Sequence, residues 1–160
     1  MKYAVGLLIF LCVTQGLAYP GVGDKVQWTG TIRLLDGSNT PVHISKEVSA
    51  FNARTHMWTI KLETTLGEKK SSKVMEVAEL YTPEKFKTLI AGCLSQGGVL
   101  EKITAPAGTY ETCKITETTP EGLVVEKWWG DIPFGVVSKS TKDFTTKVDL
   151  KDLDSLLAGL

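Results

Sequence analysis

The chain has 160 residues, 42% of them hydrophobic, and its 18 lysine and arginine residues balance its 18 aspartate and glutamate residues. An apolar content of this size is ordinary for a folded protein and argues against disorder. The zero formal charge disfavours electrostatic binding to nucleic acid or to anionic lipid, because phosphate contacts need clustered lysine and arginine.

The N-terminus has the three parts of a secretory signal. Lys2 supplies a positive charge, residues 3–13 form an apolar run, and Gly16-Leu17-Ala18 is a small-x-small cleavage site. The run is shorter than the roughly 18 residues of a membrane-spanning helix. We therefore expect a signal peptide over residues 1–18 and a single β-rich domain over residues 19–160. An uncleaved N-terminal anchor is the alternative.

Alternation of apolar and polar residues predicts four strands in the first half of the domain. The apolar positions are Val26, Trp28, Ile32 and Leu34 in the first strand, Val42, Ile44, Val48 and Ala50 in the second, and His56, Trp58, Ile60 and Leu62 in the third. A turn over residues 36–39 joins the first two strands, and the fourth strand is predicted over residues 71–81.

After Tyr81 the period of the apolar residues changes from that of a strand to that of a helix. Thr82 offers an N-cap, Pro83 suits the first helical position, and an acidic residue follows in the first turn. One apolar stripe is formed by Phe86, Leu89, Ile90, Cys93 and Leu94. Gly97-Gly98 ends the pattern, so one helix is predicted over about residues 83–96.

Strands resume in the second half of the chain. They are predicted over residues 99–105, 109–118, 123–130 and 134–140, followed by a last strand that carries Phe144, Thr146, Val148 and Leu150. The tail over residues 152–160 is expected to cap the core or to dock a partner. The predicted fold class is mainly β (α+β), an antiparallel sheet curled into an open or closed β-barrel with one helix.

Two cysteines remain if the signal is removed, Cys93 and Cys113. An even pair in an exported protein usually forms a disulfide, and this one would close a loop of about 20 residues, contributing about 3 kcal/mol. A redox pair or a metal site is the alternative, but redox cysteines lie two residues apart and no nearby histidine or cysteine completes a zinc set. We expect a structural disulfide and a periplasmic or secreted location.

Residues 96–110 contain a Pro-Ala-Gly-Thr-aromatic turn, and the turn is followed by Cys113, by Trp128-Trp129 and by Ile132-Pro133-Phe134-Gly135-Val136-Val137. This pattern resembles a broad bacterial family of exported or periplasmic proteins and lipoproteins that carry a domain of unknown function. The match covers about the last third of the mature chain. The resemblance implies a twisted antiparallel sheet or open β-barrel; it implies no substrate and no catalytic residues.

The tryptophans are the candidate ligand-binding residues: Trp28, Trp58, Trp128 and Trp129. Core packing explains most of them, because large aromatic residues dominate small β-cores. Neighbours on a strand face opposite sides, so Trp128 and Trp129 do not share one core layer. One of the two is therefore covered by the helix, or is exposed to contact a ligand or partner.

The two histidines, His43 and His56, are isolated, and we predict no catalytic residue, no metal site and no cofactor. The favoured interpretation is an exported, non-enzymatic, β-barrel-like protein that binds an apolar small molecule, a lipid or an envelope partner. No nucleic acid partner and no transmembrane span after signal cleavage are expected. The alternatives are a structural or assembly protein of the cell envelope acting by protein–protein contact, and a hydrolase of unknown substrate.

Overall fold

The computed structural model describes residues 19–33, 38–120 and 124–142. The predicted signal peptide, half of the predicted first turn, the predicted last strand and the predicted C-terminal tail lie outside the described residues.

Within those residues four strands precede one α-helix along the chain and four strands follow it. This confirms the mainly β fold class with a single α-helix. The strands are β1 (Lys25–Arg33), β2 (Asn39–Asn52), β3 (Met57–Leu66), β4 (Lys69–Val77), β5 (Val99–Ala105), β6 (Gly108–Thr118), β7 (Val124–Gly130) and β8 (Val136–Lys142). The helix α1 spans Pro83–Gly92, and a short 3₁₀ helix spans Leu94–Gln96.

The strands form two antiparallel four-stranded sheets, with orders β1-β2-β3-β4 and β5-β6-β7-β8. Each sheet is a meander, because every strand pairs with its neighbour along the chain. In the described parts of the chain no strand pairing joins the two sheets. The sheets are therefore not closed, and closure into a β-barrel is not confirmed.

The inner face of the first sheet carries the principal hydrophobic core. Val48 of β2 lies opposite Ile60 of β3, and both pack against Leu80, which precedes the helix. Partly buried hydrophobic residues surround this cluster: Trp58, Met75, Val77 and Phe134. Because Phe134 comes from the connection between β7 and β8, this core belongs to both halves of the chain.

Helix α1 begins where the sequence predicts. The Thr82 hydroxyl accepts a hydrogen bond from the backbone N–H of Lys85 at 3.2 Å, and Pro83 is the first helical residue. The helix ends earlier than predicted, because the Cys93 carbonyl accepts from the N–H groups of both Gln96 and Gly98, at 3.3 and 2.8 Å. This tightens the last turn into the 3₁₀ helix.

The predicted disulfide between Cys93 and Cys113 is present. Both cysteines are fully buried, and the bond joins the end of α1 to β6 of the second sheet. Gly98 packs directly against it, since a Cβ atom there would lie 2.7 Å from the Cys93 sulfur and 2.8 Å from the Cys113 sulfur.

The loop over residues 131–135 holds the two sheets together. The Gly130 N–H donates to the Gly135 carbonyl at 2.8 Å, and Phe134 and Gly135 both have positive φ, 64° and 78°. This left-handed turn points Phe134 into the core of the first sheet. A Cβ atom at Gly135 would lie 2.9 Å from the rings of Trp129 and Tyr81, so the close approach requires glycine.

The position predicted for His56 is wrong. The alternation predicts that His56 opens the third strand on its apolar face, but it lies exposed in the turn before β3 with φ of 54°. The Asn52 side chain accepts from the N–H groups of Arg54 and Thr55, at 3.0 and 3.3 Å. Such an asparagine turn competes with strand pairing and ends β2 before His56 is reached.

Candidate ligand-binding groove

A groove of about 1400 Å³ lies between β1 and the second sheet; we call it the inter-sheet groove. Its apolar lining residues are Val26, Trp28, Ile32, Val42, Ile44, Ile103, Ala105, Pro106, Ala107, Tyr110, Trp128, Ile132, Pro133 and Val137. Its polar lining residues are Lys25, Gln27, Thr29, Thr31, His43, Glu101, Thr104, Ser138, Lys139 and Ser140.

Strand β1 borders the groove with one of its edges. It pairs with β2 along one side, and among the described residues no strand pairs with its other side. Successive residues of a strand point to opposite faces, yet Gln27 and Trp28 both line the groove. The backbone edge of β1 therefore forms part of the groove wall, with side chains of both faces at its rim.

Trp28 lies at the point where β1 meets the second sheet. Its indole N–H donates to the Val136 carbonyl at 2.8 Å, and Val136 itself is buried, with 1% of its surface exposed. The hydrogen bond satisfies a buried carbonyl at the start of β8. It also holds the Trp28 ring in a defined position in the groove wall.

Trp128 lines the groove from the second sheet and is held by two charged residues. Its indole N–H donates to the Glu101 carboxylate, and the Lys114 Nζ lies 3.7 Å from the same carboxylate and 5.8 Å from the Trp128 ring centroid. The pairing of β6 with β7 sets Lys114 directly opposite Trp128. One wall of the groove thus presents an oriented aromatic ring beside a paired acid and base.

The other two candidate tryptophans lie elsewhere. Trp58 packs against the core of the first sheet, with its ring centroid 4.4 Å from that of Phe51. Trp129 packs on Tyr81, 5.7 Å between centroids, on the face of β7 opposite to Trp128. The structure therefore brings Trp28 and Trp128 into one groove and leaves Trp58 and Trp129 outside it.

Three lysines converge where the two sheets approach each other; we call Lys46, Lys127 and Lys139 the lysine cluster. Lys127 and Lys139 lie directly opposite each other on β7 and β8. Lys46, from β2, places its Nζ 5.8 Å from the Phe134 ring centroid. All three are partly buried, and Lys139 also lines the groove.

Burial and mutual repulsion act on the pKa values of this cluster. Burial lowers the pKa of Lys139 to about 8, with further lowering by the charges of Lys127 and Lys46 and an opposing effect of Glu117. Burial, and then the charge of Lys127, also lowers the pKa of Lys46. Lys127 itself is 15% exposed and pairs with Glu117 at 3.6 Å. The lysine cluster therefore gathers ammonium groups in a place where burial and mutual repulsion both favour loss of a proton.

Two tyrosines lie beside the 131–135 loop. The Tyr19 hydroxyl donates to the Asp131 carboxylate, and burial together with that carboxylate raises the pKa of Tyr19 far above its usual value. Burial, and then the charge of Asp131, raises the pKa of Tyr81 to about 12. The Tyr81 hydroxyl is buried and has no hydrogen-bond partner among the described residues. Both phenols stay protonated at neutral pH, which does not suit a base or nucleophile.

The other groove residues and the lysine cluster were not predicted from sequence, although the cluster left one signal. Lys46 lies in β2 between Ile44 and Val48, at a position that the alternation assigns to the inner face. A lysine at an inward position is unusual, because lysines are rarely buried unless they are paired. Glu101 gave no such signal, because its role depends on Trp128 of a distant strand.

In the described ranges, no group of three or more histidine, cysteine, aspartate or glutamate side chains could hold a metal ion. His43 is half-buried in the groove wall, whereas His56 is exposed in its turn. Nor does any helix of these ranges combine the length and apolar character needed to cross a membrane. Comparisons with protein families, with curated proteins and with solved structures found no match to this chain.

Proposed function

We propose that this protein is an exported binding protein that holds a molecule with a long apolar part, such as a lipid, in the inter-sheet groove. In this proposal the two sheets act as the walls of an open barrel. The observation that carries it is the meeting of Trp28 and Trp128, from two separate sheets, in one groove.

The size and lining of the groove support this function. Small-molecule sites are typically clefts of about 300–1,000 Å³, mostly apolar with a few polar groups. The groove, at about 1400 Å³, exceeds that range and has room for a lipid-sized ligand. Each methylene that leaves water for such a surface contributes about 0.8 kcal/mol, so a long chain gains enough to bind without a reaction centre.

Export is supported by three features. A disulfide between Cys93 and Cys113 is consistent with an oxidising compartment, and residues 1–18 have the pattern of a signal peptide. The resemblance of the last third of the mature chain to bacterial exported proteins points the same way. In this proposal the inter-sheet groove binds a ligand and does not catalyse a reaction.

The test is a fluorescence titration with N-phenyl-1-naphthylamine, an uncharged probe that brightens in apolar surroundings. We expect saturable binding with one probe site per chain, and binding about tenfold weaker in Trp128→Ala, which removes a groove wall. Phe51→Ala is the matched control, because Phe51 is 41% exposed and lies outside the groove. It should bind the probe as the parent chain does. Unsaturable binding, or equal losses in the two variants, would contradict the proposal.

A further inference from the structure

The lysine cluster gives the groove a chemistry that an apolar ligand alone does not use. Lys139 lines the groove and lies directly opposite Lys127 on the neighbouring strand, and the charges of Lys127 and Lys46 both lower its pKa. The three side chains come from β2, β7 and β8, so packing of the two sheets is what assembles them. Positive charge is therefore concentrated at one place along an otherwise mainly apolar groove.

Bringing these lysines together out of water has an energetic cost, because burial and like charge both disfavour the protonated form. Glu117 lies 3.6 Å from Lys127, but its side chain is 57% exposed, so water screens the attraction. Lys46 has no ion-pair partner in the described part of the chain and contacts the Phe134 ring instead. Like charges held together out of water are characteristic of sites that bind an opposite charge.

Resting on the proposed function, we infer that the ligand of the inter-sheet groove is an amphipathic anion. Its apolar chain lies along Trp28 and Trp128, and its carboxylate or phosphate group binds Lys139. Lys46 and Lys127 strengthen that contact through their charge.

The geometry favours an acidic head over an uncharged one. A lysine ammonium donates strong, charge-assisted hydrogen bonds to a carboxylate or phosphate, and these are stronger still where water is partly excluded. Such a group would also relieve the repulsion between Lys139 and its two lysine neighbours, and raise the pKa of Lys139 from about 8. An alcohol or ester head does neither.

The experiment compares cis-parinaric acid with its methyl ester, which share one fluorescent chain and differ only in the charge of the head. Both are titrated into the full, oxidised chain at neutral pH, with energy transfer from tryptophan as the signal. We expect the acid to bind about tenfold more tightly than the ester. Displacement by palmitic acid and by hexadecyl phosphate, with hexadecanol as the uncharged comparison, identifies which acidic group is preferred.

Two variants locate the head group. Lys139→Gln should bring the affinity for the acid down to that for the ester, and the quantity compared between proteins is the ratio of the two affinities. The matched control is Lys25→Gln, because Lys25 also lines the groove but pairs with Glu47 at 3.4 Å, outside the lysine cluster. It should keep the preference.

The outcomes separate this inference from the proposed function. Equal binding of acid and ester by the parent chain overturns the inference and leaves the apolar groove standing. Failure of both probes to bind overturns both. If Lys139→Gln does not fold, salt decides: the acid preference should shrink as ionic strength rises, and a preference insensitive to salt contradicts the lysine contact.

Discussion

The indole N–H of Trp28 donates to the backbone carbonyl of Val136 at 2.8 Å, and this bond links the edge strand of one sheet to the last strand of the other. The two residues are far apart in the chain, and their contact lies at the wall of the inter-sheet groove. The same hydrogen bond therefore helps to position the two sheets and to shape the candidate binding site.

Replacing Trp28 by phenylalanine should lower the free energy of unfolding by about 1–3 kcal/mol, because the buried Val136 carbonyl would lose its partner. Urea unfolding followed by circular dichroism measures the change. Trp58→Phe is the control, since Trp58 is partly buried but makes no side-chain hydrogen bond within the described residues. Equal effects of the two substitutions would assign the loss to ring size rather than to the hydrogen bond.

Glu101→Gln should weaken binding of the uncharged probe severalfold while changing the free energy of unfolding by less than about 1 kcal/mol. Glutamine can still accept from the Trp128 indole, but it loses the ion pair with Lys114 that helps to orient the ring. The probe titration and a urea melt on the same sample report both quantities.

The control for that substitution is Glu111→Gln. Glu111 pairs with Lys102 at 3.2 Å on the same sheet, but both side chains are exposed and neither lines the groove. We expect no change in probe binding. A loss of binding as large as that of Glu101→Gln would mean that the contacts of Glu101 with Trp128 and Lys114 do not shape the groove.

Gly98→Ala should be more destabilising than Gly97→Ala. A Cβ atom at Gly98 would press on both disulfide sulfurs, a form of overpacking that costs about 1–3 kcal/mol. Gly97 has open space around it and positive φ of 77°, so alanine there costs about 1 kcal/mol from the backbone alone. Thermal unfolding of the oxidised proteins gives the order, and the reverse order would contradict the packing around the disulfide.

Much of the local structure could be predicted because it depends on neighbouring residues. The N-cap Thr82 and the alternation in β1 and β2 act within a few positions, and compartment and cysteine count favoured pairing of Cys93 with Cys113. The turn at His56 was missed because the Asn52 side chain competes with the strand.

The groove could not be predicted, since it depends on how the two sheets pack. A balanced total charge disfavoured binding to anionic lipid, but it carries no information on local clusters such as Lys46, Lys127 and Lys139. Likewise, nothing in the sequence around Trp28 or Trp128 distinguishes them from Trp58, which lies in a core. The groove tryptophans differ from Trp58 in their tertiary surroundings, which depend on the register of β1 against β2 and on the path of the 131–135 loop.

The lysine cluster predicts that stability rises with pH between about 8 and about 10. In the folded protein Lys139 loses its proton near pH 8, whereas in the unfolded chain it keeps it to about 10.4. The unfolded state therefore binds more protons in this window, and the free energy of unfolding increases as pH rises. Lys46 acts in the same direction because its pKa is also lowered.

Urea unfolding at a series of pH values measures this slope. The charges of Lys127, Lys46 and Glu117 act on the pKa of Lys139, and Lys139→Gln should reduce the rise while Lys25→Gln leaves it intact. Above pH of about 10 the raised pKa values of Tyr19 and Tyr81 oppose the effect, since the folded state then keeps protons that the unfolded state loses. A stability that falls steadily from pH of about 8 would contradict the burial of Lys139.

Occupancy of the inter-sheet groove is tested most directly by native mass spectrometry of the protein purified without denaturant from its own organism. We predict a main species heavier than the oxidised chain by one lipid-sized acid, and loss of that added mass from Trp128→Ala. A bare chain in both proteins, unchanged after incubation with palmitic acid or hexadecyl phosphate, would contradict a ligand-binding groove.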